Sequence, residues 1–213
     1  IINTIIARNT TLTYRGAGMY CENNSNPQII NATIAANSCN TADGAMLVCY
    51  QASNPIFINS ILTGNFPREL YLSPTGGENN VSISYSNIEG GQDSIITNDN
   101  GSISWGAGNI DINPRYIEPE SNNYKLLASS LCINAGHPDS TNSDGSRADM
   151  GAIPYLNSYT GPAWYSSTEG DDVAGTGESS NPFASIQAGI NFASSGNSVS
   201  VDPGTYFETI VFR

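Results

Sequence analysis

Short apolar runs alternate with Asn- and Ser-rich polar turns in the first third of the chain, and this pattern recurs at a fixed spacing. Residues 1–28 and 29–56 carry identical residues at thirteen aligned positions, and both copies have Ser-Asn-Pro near their end. A third copy starts at Phe57 and then keeps the residues Ile58, Asn59, Leu62 and Asn65. A period of 28 residues indicates a repeat architecture, in which each unit covers its apolar face by stacking on the next unit.

The content of each unit favours strands. One short apolar strand, GAGMYC or GAMLVC, is followed by a polar turn that ends in Asn-Pro and by a second strand, QIINATIA or IFINSIL. Such units predict a parallel β-helix, with coils stacked at the inter-strand spacing of about 4.8 Å. Leucine-rich repeats are the alternative, since their L-x-x-L-x-L-x-x-N frame accepts Ile29, Ala32, Ile34 and Asn37. The Gly-rich remainder of each unit has no helical pattern, which favours the β-helix.

Stacking would place equivalent residues of neighbouring coils next to each other. We expect Asn9, Asn37 and Asn65 to form a ladder at a turn, where the amides bond along the stack and the backbone tolerates left-handed geometry. We expect Cys21 and Cys49 to lie side by side as inward-facing thiols. A disulfide is the alternative, but in-register parallel strands direct the two Cβ atoms alike rather than toward each other.

The middle of the chain carries a series of phrases typical of one family. ISYSNIEGG, GNIDINPRYIEP, YKLLASSLCINAGHP and DGSRADMGAIPY, within residues 81–155, resemble the closing segment of secreted bacterial right-handed parallel β-helix proteins, the pectin-lyase-like solenoids. The chain departs from that family at Leu131 and Asn134, where Pro and Asp are usual. The resemblance implies an all-β, right-handed parallel β-helix that is secreted and lies outside the cell or at its surface.

Residues 164–212 resemble the opening segment of the same family. A helix is expected near residues 182–194, with Asn181 as N-cap, Pro182 at the first helical position and an end near Gly196. Its apolar face would consist of Phe183, Ile186, Ile190 and Ala193. In the family such a helix caps the open end of the solenoid.

The order of these parts predicts three regions. Residues 1–155 would form coils and the closing segment, 156–180 a linker or loop, and 181–213 the capping helix and first strands of a next or partner β-helix. The chain starts without Met or a signal-peptide pattern, and we interpret it as a processed product or an excerpt. It is then one period of a tandem array, or a protomer that joins other copies head to tail. The residues expected to mediate self-association are Ile1, Ile2, Ile5, Tyr206, Ile210 and Phe212.

Charge excludes two classes of partner. The formal net charge is −12, from 19 acidic and 7 basic residues, and the basic residues are scattered singly. No basic stripe is present to neutralise phosphates, so nucleic acid is not an expected partner, and anionic membranes are disfavoured. No run of eighteen apolar residues occurs, so membrane insertion is not expected.

The sequence offers no catalytic constellation, and no residue is assigned as catalytic or cofactor-binding. The charged residues of the coils do not recur in pairs on one face: Arg8, Arg15, Glu22, Asp43, Arg68 and Glu69. The single His137 precedes a proline, which is more typical of a solvated loop than of a general base. Five tyrosines would serve either as sugar subsites or as packing residues, the commoner use: Tyr14, Tyr20, Tyr50, Tyr71 and Tyr85.

One acidic loop is a weak calcium candidate. The sequence DSTNSDGSRAD places Asp139, Asn142, Asp144 and Asp149 around a glycine, out of register with the D-x-[DN]-x-[DN]-G frame. The alternative is a turn in which Arg147 pairs with Asp149. The run EGDD at 169–172 is a second weak candidate, with a solvated loop as its alternative.

The sequence therefore favours a non-catalytic extracellular structural or adhesive protein, whose partners are other copies of itself or adjacent tandem repeats. A fragment of a carbohydrate-active β-helix, or a glycan-binding module with a polysaccharide partner, is the alternative. An enzymatic activity is supported only by analogy with other proteins of the β-helix fold.

Overall fold

The structure, a computed structural model, describes residues 1–13, 15–41 and 46–212. Two of the residues considered above, Tyr14 and Asp43, lie outside the described residues. The chain divides into two compact units. The first unit contains residues 1–113, 135–137 and 150–152, and the second contains residues 114–134, 138–149 and 153–212.

The first unit is built from short strands. Their bounds are β1 Ile5–Ala7, β2 Thr10–Thr11, β3 Met19–Cys21, β4 Gln28–Ile30, β5 Thr33–Ala35, β6 Ser38–Cys39, β7 Leu47–Cys49, β8 Ile56–Ile58, β9 Ile61–Thr63, β10 Leu70–Leu72, β11 Asn79–Ser84, β12 Asn87–Ile88 and β13 Gly101–Trp105. A 3-10 turn spans Gln92–Ser94. The sheets have the strand orders β1-β5-β9-β12, β10-β7-β3, β13-β11-β8-β4 and β2-β6.

All of these pairings are parallel, and the register is the one that the repeat predicts. Ile5 pairs with Thr33 and Thr33 with Ile61, so each step along the sheet is 28 residues. Beyond the third copy the spacing loosens, as expected: Ser82 pairs with Ile56 and with Ser104. Parallel sheets and the repeat register are therefore confirmed. We call residues 1–28, 29–56 and the third copy the first, second and third coils.

Each long predicted strand is two strands separated by a corner. QIINATIA forms β4 and β5, and the chain turns at Asn31, which has a φ of 49°. Asn3 and Asn59 occupy the same place in the neighbouring coils with φ values of 50° and 52°. Asparagine tolerates this left-handed conformation better than other residues that carry a side chain.

The core of the first unit lies between its sheets and consists of stacked apolar side chains. Ile29, Phe57 and Ile83 follow one another across the sheet, and each is at most 1% exposed. Full burial of such a side chain contributes about 1.5–3 kcal/mol relative to exposure.

Cys21 and Cys49 are register partners in β3 and β7, and both are buried free thiols. The thiol pair is therefore confirmed. The hydrogen bond between the thiols of Cys21 and Cys49, together with the burial of Cys49, raises the pKa of Cys49.

The second unit mixes strands with one helix. β14 (Tyr116–Glu118) and β15 (Asn123–Leu126) form an antiparallel hairpin around a 3-10 turn at Pro119–Ser121. β16 (Ala163–Ser166) pairs in parallel with β17 (Ser198–Val201), and α1 (Ile186–Phe192) connects them. β16 lies inside the 156–180 segment that was expected to be a linker or loop. Across the described residues strands far outweigh this short helix, which confirms the all-β class.

The start of the helix differs from the prediction. α1 begins at Ile186, and its N-cap is Ser185, whose side chain accepts from the backbone N–H of Ala188. Asn181 and Pro182 precede the helix because Phe183 pairs with the strand β16: its N–H donates to Tyr165 O at 3.0 Å. Backbone groups used in this way are not available for a helix.

Aromatic rings form the core of the second unit. Phe183 stacks on Phe192 with ring centroids 5.2 Å apart, and Trp164 lies 6.3 Å from Phe183 in a parallel arrangement. Among the described residues no helix has the length and apolar character that a membrane crossing requires.

Candidate functional site

Three asparagines, one from each of the first three coils, form a hydrogen-bonded ladder. The Oδ1 of Asn37 accepts from the backbone N–H of Asn9 at 3.0 Å and from its Nδ2 at 2.8 Å. The Oδ1 of Asn65 accepts the same two donors of Asn37 at 2.8 and 2.9 Å. The ladder is as predicted, and every bond in it runs from the earlier coil to the later one. The left-handed backbone expected at these asparagines instead lies one residue earlier, at Arg8, Ala36 and Gly64.

A carboxyl group ends this ladder. Glu69 is 3% exposed, and its two oxygens accept the backbone N–H of Asn65 at 3.2 Å and its Nδ2 at 2.6 Å. Glu69 thus takes the place of a fourth asparagine. Burial raises the pKa of Glu69 to about 8, even though both hydrogen bonds act in the opposite direction, and the nearby Glu89 adds to the rise.

Hydroxyl oxygens form a second line of bonds between coils. The backbone N–H of Ala32 donates to Ser60 Oγ at 3.2 Å, and that of Ser60 donates to Ser86 Oγ at 3.1 Å. These two hydroxyls each donate to a carbonyl two residues back, at 3.0 and 2.9 Å. Thr4 occupies the same place in the first coil, and its hydroxyl donates to Ile2 O at 2.8 Å.

A third line runs along the turn that precedes β4, β8 and β11. The backbone N–H of Ser25 donates to Ser53 Oγ at 3.2 Å, and that of Ser53 donates to Asn79 Oδ1 at 3.0 Å. Each serine hydroxyl donates to a carbonyl three residues back, from Ser25 to Glu22 O at 2.5 Å and from Ser53 to Tyr50 O at 2.8 Å. The direction is again from the earlier coil to the later one.

The first coil has an unpaired edge, which we call the open edge. Among the described residues, β1 and β3 are the outermost strands of their sheets, and β2 pairs only with β6. The predicted self-association residues Ile1, Ile2 and Ile5 lie there and are 46%, 61% and 39% exposed. Leu12 and Tyr20 of the same coil are also exposed, at 69% and 48%. Neither was predicted as a self-association residue, although their place in the first copy of the repeat was a usable signal.

The other predicted self-association residues belong to the last segment of the second unit. Ile210 is 38% and Phe212 81% exposed, and Phe207, which the sequence analysis missed, is 97% exposed. Tyr206 is held by its hydroxyl, which donates to Asp202 O at 3.1 Å and to Ser166 O at 3.3 Å.

This segment is attached to α1 by polar contacts. The carboxylate of Glu208 accepts the N–H groups of Ile186 and Gln187 at 2.7 and 2.9 Å. The side-chain amide of Gln187 exchanges two hydrogen bonds with the backbone of Val211, at 2.7 and 3.1 Å.

The calcium candidates form a hydrogen-bonded turn. Asp144 accepts from the N–H of Ser146 and of Asn157, and Asp149 accepts from the N–H of Asn134 and of Tyr155. Asn142 joins them, since its Oδ1 accepts the N–H of Asp149 at 3.4 Å. Asp139 lies at an exposed position of the same loop. Within the described ranges no cluster of three or more His, Cys, Asp or Glu side chains is arranged to hold a metal ion.

Burial affects the two carboxyl groups of this turn differently. Burial raises the pKa of Asp149 to about 6, because its effect is larger than the opposite effect of the hydrogen bonds that Asp149 accepts. It also acts to raise the pKa of Asp144, but hydrogen bonds from Ser146 and Asn157 outweigh it and leave this pKa below its ordinary value. In the EGDD run, Asp171 and Asp172 likewise accept backbone N–H groups, from Val173 at 2.7 Å and from Ala184 at 2.9 Å.

The candidate sugar-binding aromatics are in part packing residues. Tyr71 is 4% exposed, and the Arg68 guanidinium lies 5.6 Å from its ring centroid. His137 packs edge-on against Tyr85 at 4.7 Å, and its backbone N–H donates to Asn59 Oδ1 at 2.6 Å. His137 is therefore packed within the first unit rather than placed in a solvated loop.

The second unit contains a polar groove of about 660 Å³. The residues that line it include Ile190, Val199 and Phe212, together with Arg147 and Asn197. The Oδ1 of Asn197 accepts from Trp164 Nε1 at 3.0 Å and from the N–H of Ser194 at 3.1 Å, which fixes the direction of its Nδ2. A polar ligand with one apolar face fits such a lining.

Comparison with known proteins gives no relative. No family model matches the chain, and neither a curated protein nor a solved structure matches it. The function is therefore argued from the geometry.

Proposed function

We propose that this protein is a non-catalytic structural or adhesive protein that acts outside the cell and joins head to tail to other copies of itself or to adjacent tandem repeats. We also propose that the first unit is a right-handed parallel β-helix. Parallel strands 28 residues apart, with polar ladders at the corners, support this architecture.

The observation that carries the proposal is the open edge of the first coil. Natural proteins protect a sheet edge with charges, prolines, bulges or a covering segment. Here the apolar side chains of Ile1, Ile2 and Ile5 are exposed along strands that, in the described part of the chain, are paired on one side only. An edge of this kind favours the addition of another strand.

The polar side chains of the coils support a structural role. Asn37, Asn65 and Ser60 are buried and are used in bonds between coils. Glu69 belongs to the same ladder, in which both of its carboxylate oxygens accept hydrogen bonds from Asn65. Location outside the cell rests on the family resemblance of residues 81–155 and is tested by fractionation of the source cells.

Light scattering and electron microscopy test the assembly. We expect the mass of the wild-type protein to rise with concentration and rod-like particles to appear. Ile2→Lys places a charge on the open edge and should lower the mass to that of one chain, whereas Leu156→Lys, at a site with 51% exposure in the second unit, should leave it unchanged. A wild-type mass of one chain at every concentration would refute the assembly.

Glycan binding is the second candidate function, and the groove of the second unit favours it. Phe212 offers an apolar surface and Asn197 a directed amide donor, a combination that suits a sugar ring. Titration of polysaccharide fragments against the wild type and Phe212→Ala tests this function. Equal binding by both proteins, or no binding by either, would refute glycan binding in this groove.

A further inference from the structure

The second unit contains a second cavity, which the proposed function does not use. Its volume of about 480 Å³ lies within the range of about 300–1,000 Å³ that is usual for small-molecule sites. Its apolar lining includes Ile117, Leu126, Ile153, Pro154, Val173 and Ala174. A cavity of this size and lining suits an aliphatic chain.

Part of this lining is a face of the hairpin formed by β14 and β15. Successive side chains of a strand point to opposite faces, and in β15 Tyr124 and Leu126 are buried whereas Lys125 is exposed. Lys125 lines the cavity together with Ile117 of β14. The hairpin therefore supplies both apolar and cationic groups to the cavity.

Two further segments complete the lining, and hydrogen bonds join them. The hydroxyl of Tyr155 donates to Gly175 O at 2.7 Å, and the Nδ2 of Asn157 donates to Thr176 O at 2.9 Å. The backbone N–H of Tyr155 also donates to the Asp149 carboxylate at 2.7 Å. This part of the lining is therefore fixed before a ligand arrives, and a preformed site loses less binding free energy to ordering.

The charge in the lining is positive. Lys125 is the only charged residue among the described residues that line the cavity, and it is the only lysine of the chain. Val173, which also lines the cavity, is 50% exposed. A ligand that covers this apolar surface and pairs with the ammonium group has an aliphatic chain and an anionic head group.

Acidic residues near the cavity determine where such a head group can lie. Asp171 and Asp172 directly precede Val173, and the Asp171 carboxylate accepts the N–H of Val173 at 2.7 Å. Burial raises the pKa of Tyr155, and the negative charges of Asp172 and Asp171 add to the rise. An anionic head group is therefore repelled from Tyr155 and attracted to Lys125.

We infer that this cavity, which we call the carboxylate site, binds one aliphatic carboxylate, with its head group on the ammonium of Lys125 and its chain against the apolar lining. The inference goes beyond the proposed function and does not depend on it, since no residue of the open edge lines the cavity. The ligand is a free molecule rather than a membrane surface, because a chain of net charge −12 is repelled by an anionic bilayer.

Titration calorimetry of the full chain with linear ligands tests the inference. We expect octanoate to bind about fifteenfold more tightly than hexanoate, since each buried methylene strengthens binding about fourfold. 1-Octanol has the same chain without the charge and should bind about tenfold more weakly than octanoate. No binding of octanoate, or equal binding of octanoate and octanol, would overturn the inference.

Substitutions separate the head group from the chain. Lys125→Met should lower the affinity for octanoate about tenfold and leave octanol binding unchanged, whereas Lys125→Arg keeps the charge and should retain octanoate binding. Val173→Ser removes apolar surface at an exposed position and should weaken octanoate and octanol alike, by about fivefold. Arg15→Met, the same change of charge at an exposed position of the first unit, is the control and should bind octanoate as the wild type does. Equal affinity of Lys125→Met and the wild type for octanoate would overturn the inference.

The single lysine gives a second readout that needs no substitution. Reductive methylation modifies Lys125, and mass spectrometry of the peptide that contains it measures the rate. We expect saturating octanoate to slow this reaction about fivefold or more, by pairing with the ammonium group. An unchanged rate would show that the carboxylate lies elsewhere and would overturn the inference.

Vesicles distinguish a free carboxylate from a lipid head group. We expect the wild type not to sediment with vesicles of phosphatidylcholine, with or without phosphatidylglycerol. Sedimentation with the anionic vesicles that Lys125→Met abolishes, together with no binding of octanoate, would overturn the inference in favour of a membrane surface.

Discussion

Glu69 is a buried carboxyl group whose ionisation is coupled to folding. Its pKa is about 8 in the folded protein and 4.5 ordinarily. Between these values the folded state holds the proton more tightly than the unfolded state does, so its stabilising contribution is complete below pH 4.5 and is lost as the pH rises to 8. We expect the free energy of unfolding to fall in this window by about 1.36 kcal/mol per pH unit at most.

Urea unfolding between pH 4 and pH 9 measures this effect. Glu69→Gln removes the titrating group and should flatten the profile, although Asn65 then loses one acceptor. Glu78→Gln, at an exposed position, is the control and should keep the wild-type slope. Asp149 of the second unit, with a pKa of about 6, adds a slope of the same sign below pH 6. A slope that survives in Glu69→Gln above pH 6 would contradict the assignment.

Asn37 connects structural elements of three successive coils. Its Oδ1 receives two donors from Asn9, and its Nδ2 donates to Ile6 O and to Asn65. Asn37→Ala leaves the backbone N–H of Asn9 and the carbonyl of Ile6, which are both partly buried, without this partner. The cost for each group is then near the lower end of about 1–3 kcal/mol. We expect a loss of about 2 kcal/mol in the free energy of unfolding.

Denaturant titration of Asn37→Ala beside Asn40→Ala checks this prediction. Asn40 is an exposed residue of the same coil, so its substitution should change the stability by less than about 0.5 kcal/mol. Equal losses in the two variants would show that the ladder adds little to stability.

At the scale of structural elements, the sequence predicted the strand pairings within the repeat and missed the start of the helix, which lies outside the repeat. The 28-residue spacing gave the pairing of β1 with β5 and of β3 with β7, because equivalent residues of stacked coils must meet. The start of α1 was wrong by several residues, since the pairing of Phe183 with β16 overrides the local capping signal of Asn181.

At the scale of the whole molecule, net charge opposes assembly. Each chain carries a formal charge of −12, and copies of equal sign repel one another at low salt. Because the proposed contacts are apolar and hydrogen-bonded, added salt should screen the repulsion and strengthen association. We expect a lower dissociation constant in 300 mM than in 20 mM NaCl by sedimentation analysis. Weaker association at high salt would indicate that ion pairs between copies hold the assembly.

The candidate site was predictable from the sequence only in part. Ile1, Ile2 and Ile5 were predicted as self-association residues because they form an apolar terminal strand. They are exposed in the structure, and their part in assembly stays a prediction. The hydrogen bonds of Thr4 and Ser25 were not predicted, because the direction of a hydroxyl group depends on which backbone carbonyl lies near it. The sequence shows residue types at equivalent positions but not the direction of a hydrogen bond between them.

The sequence by itself determined the repeat, its register, the buried apolar columns and the side-by-side thiols of Cys21 and Cys49, because each of these follows from equal spacing along the chain. Only the tertiary structure decided that Glu69 ends the asparagine ladder, that Asp144 and Asp149 bind backbone N–H groups within a turn, and where α1 begins. The physical reason is that a fixed spacing along the chain decides which equivalent residues lie next to each other. Burial and hydrogen-bond geometry depend in addition on residues outside the repeat, whose positions only the folded structure shows.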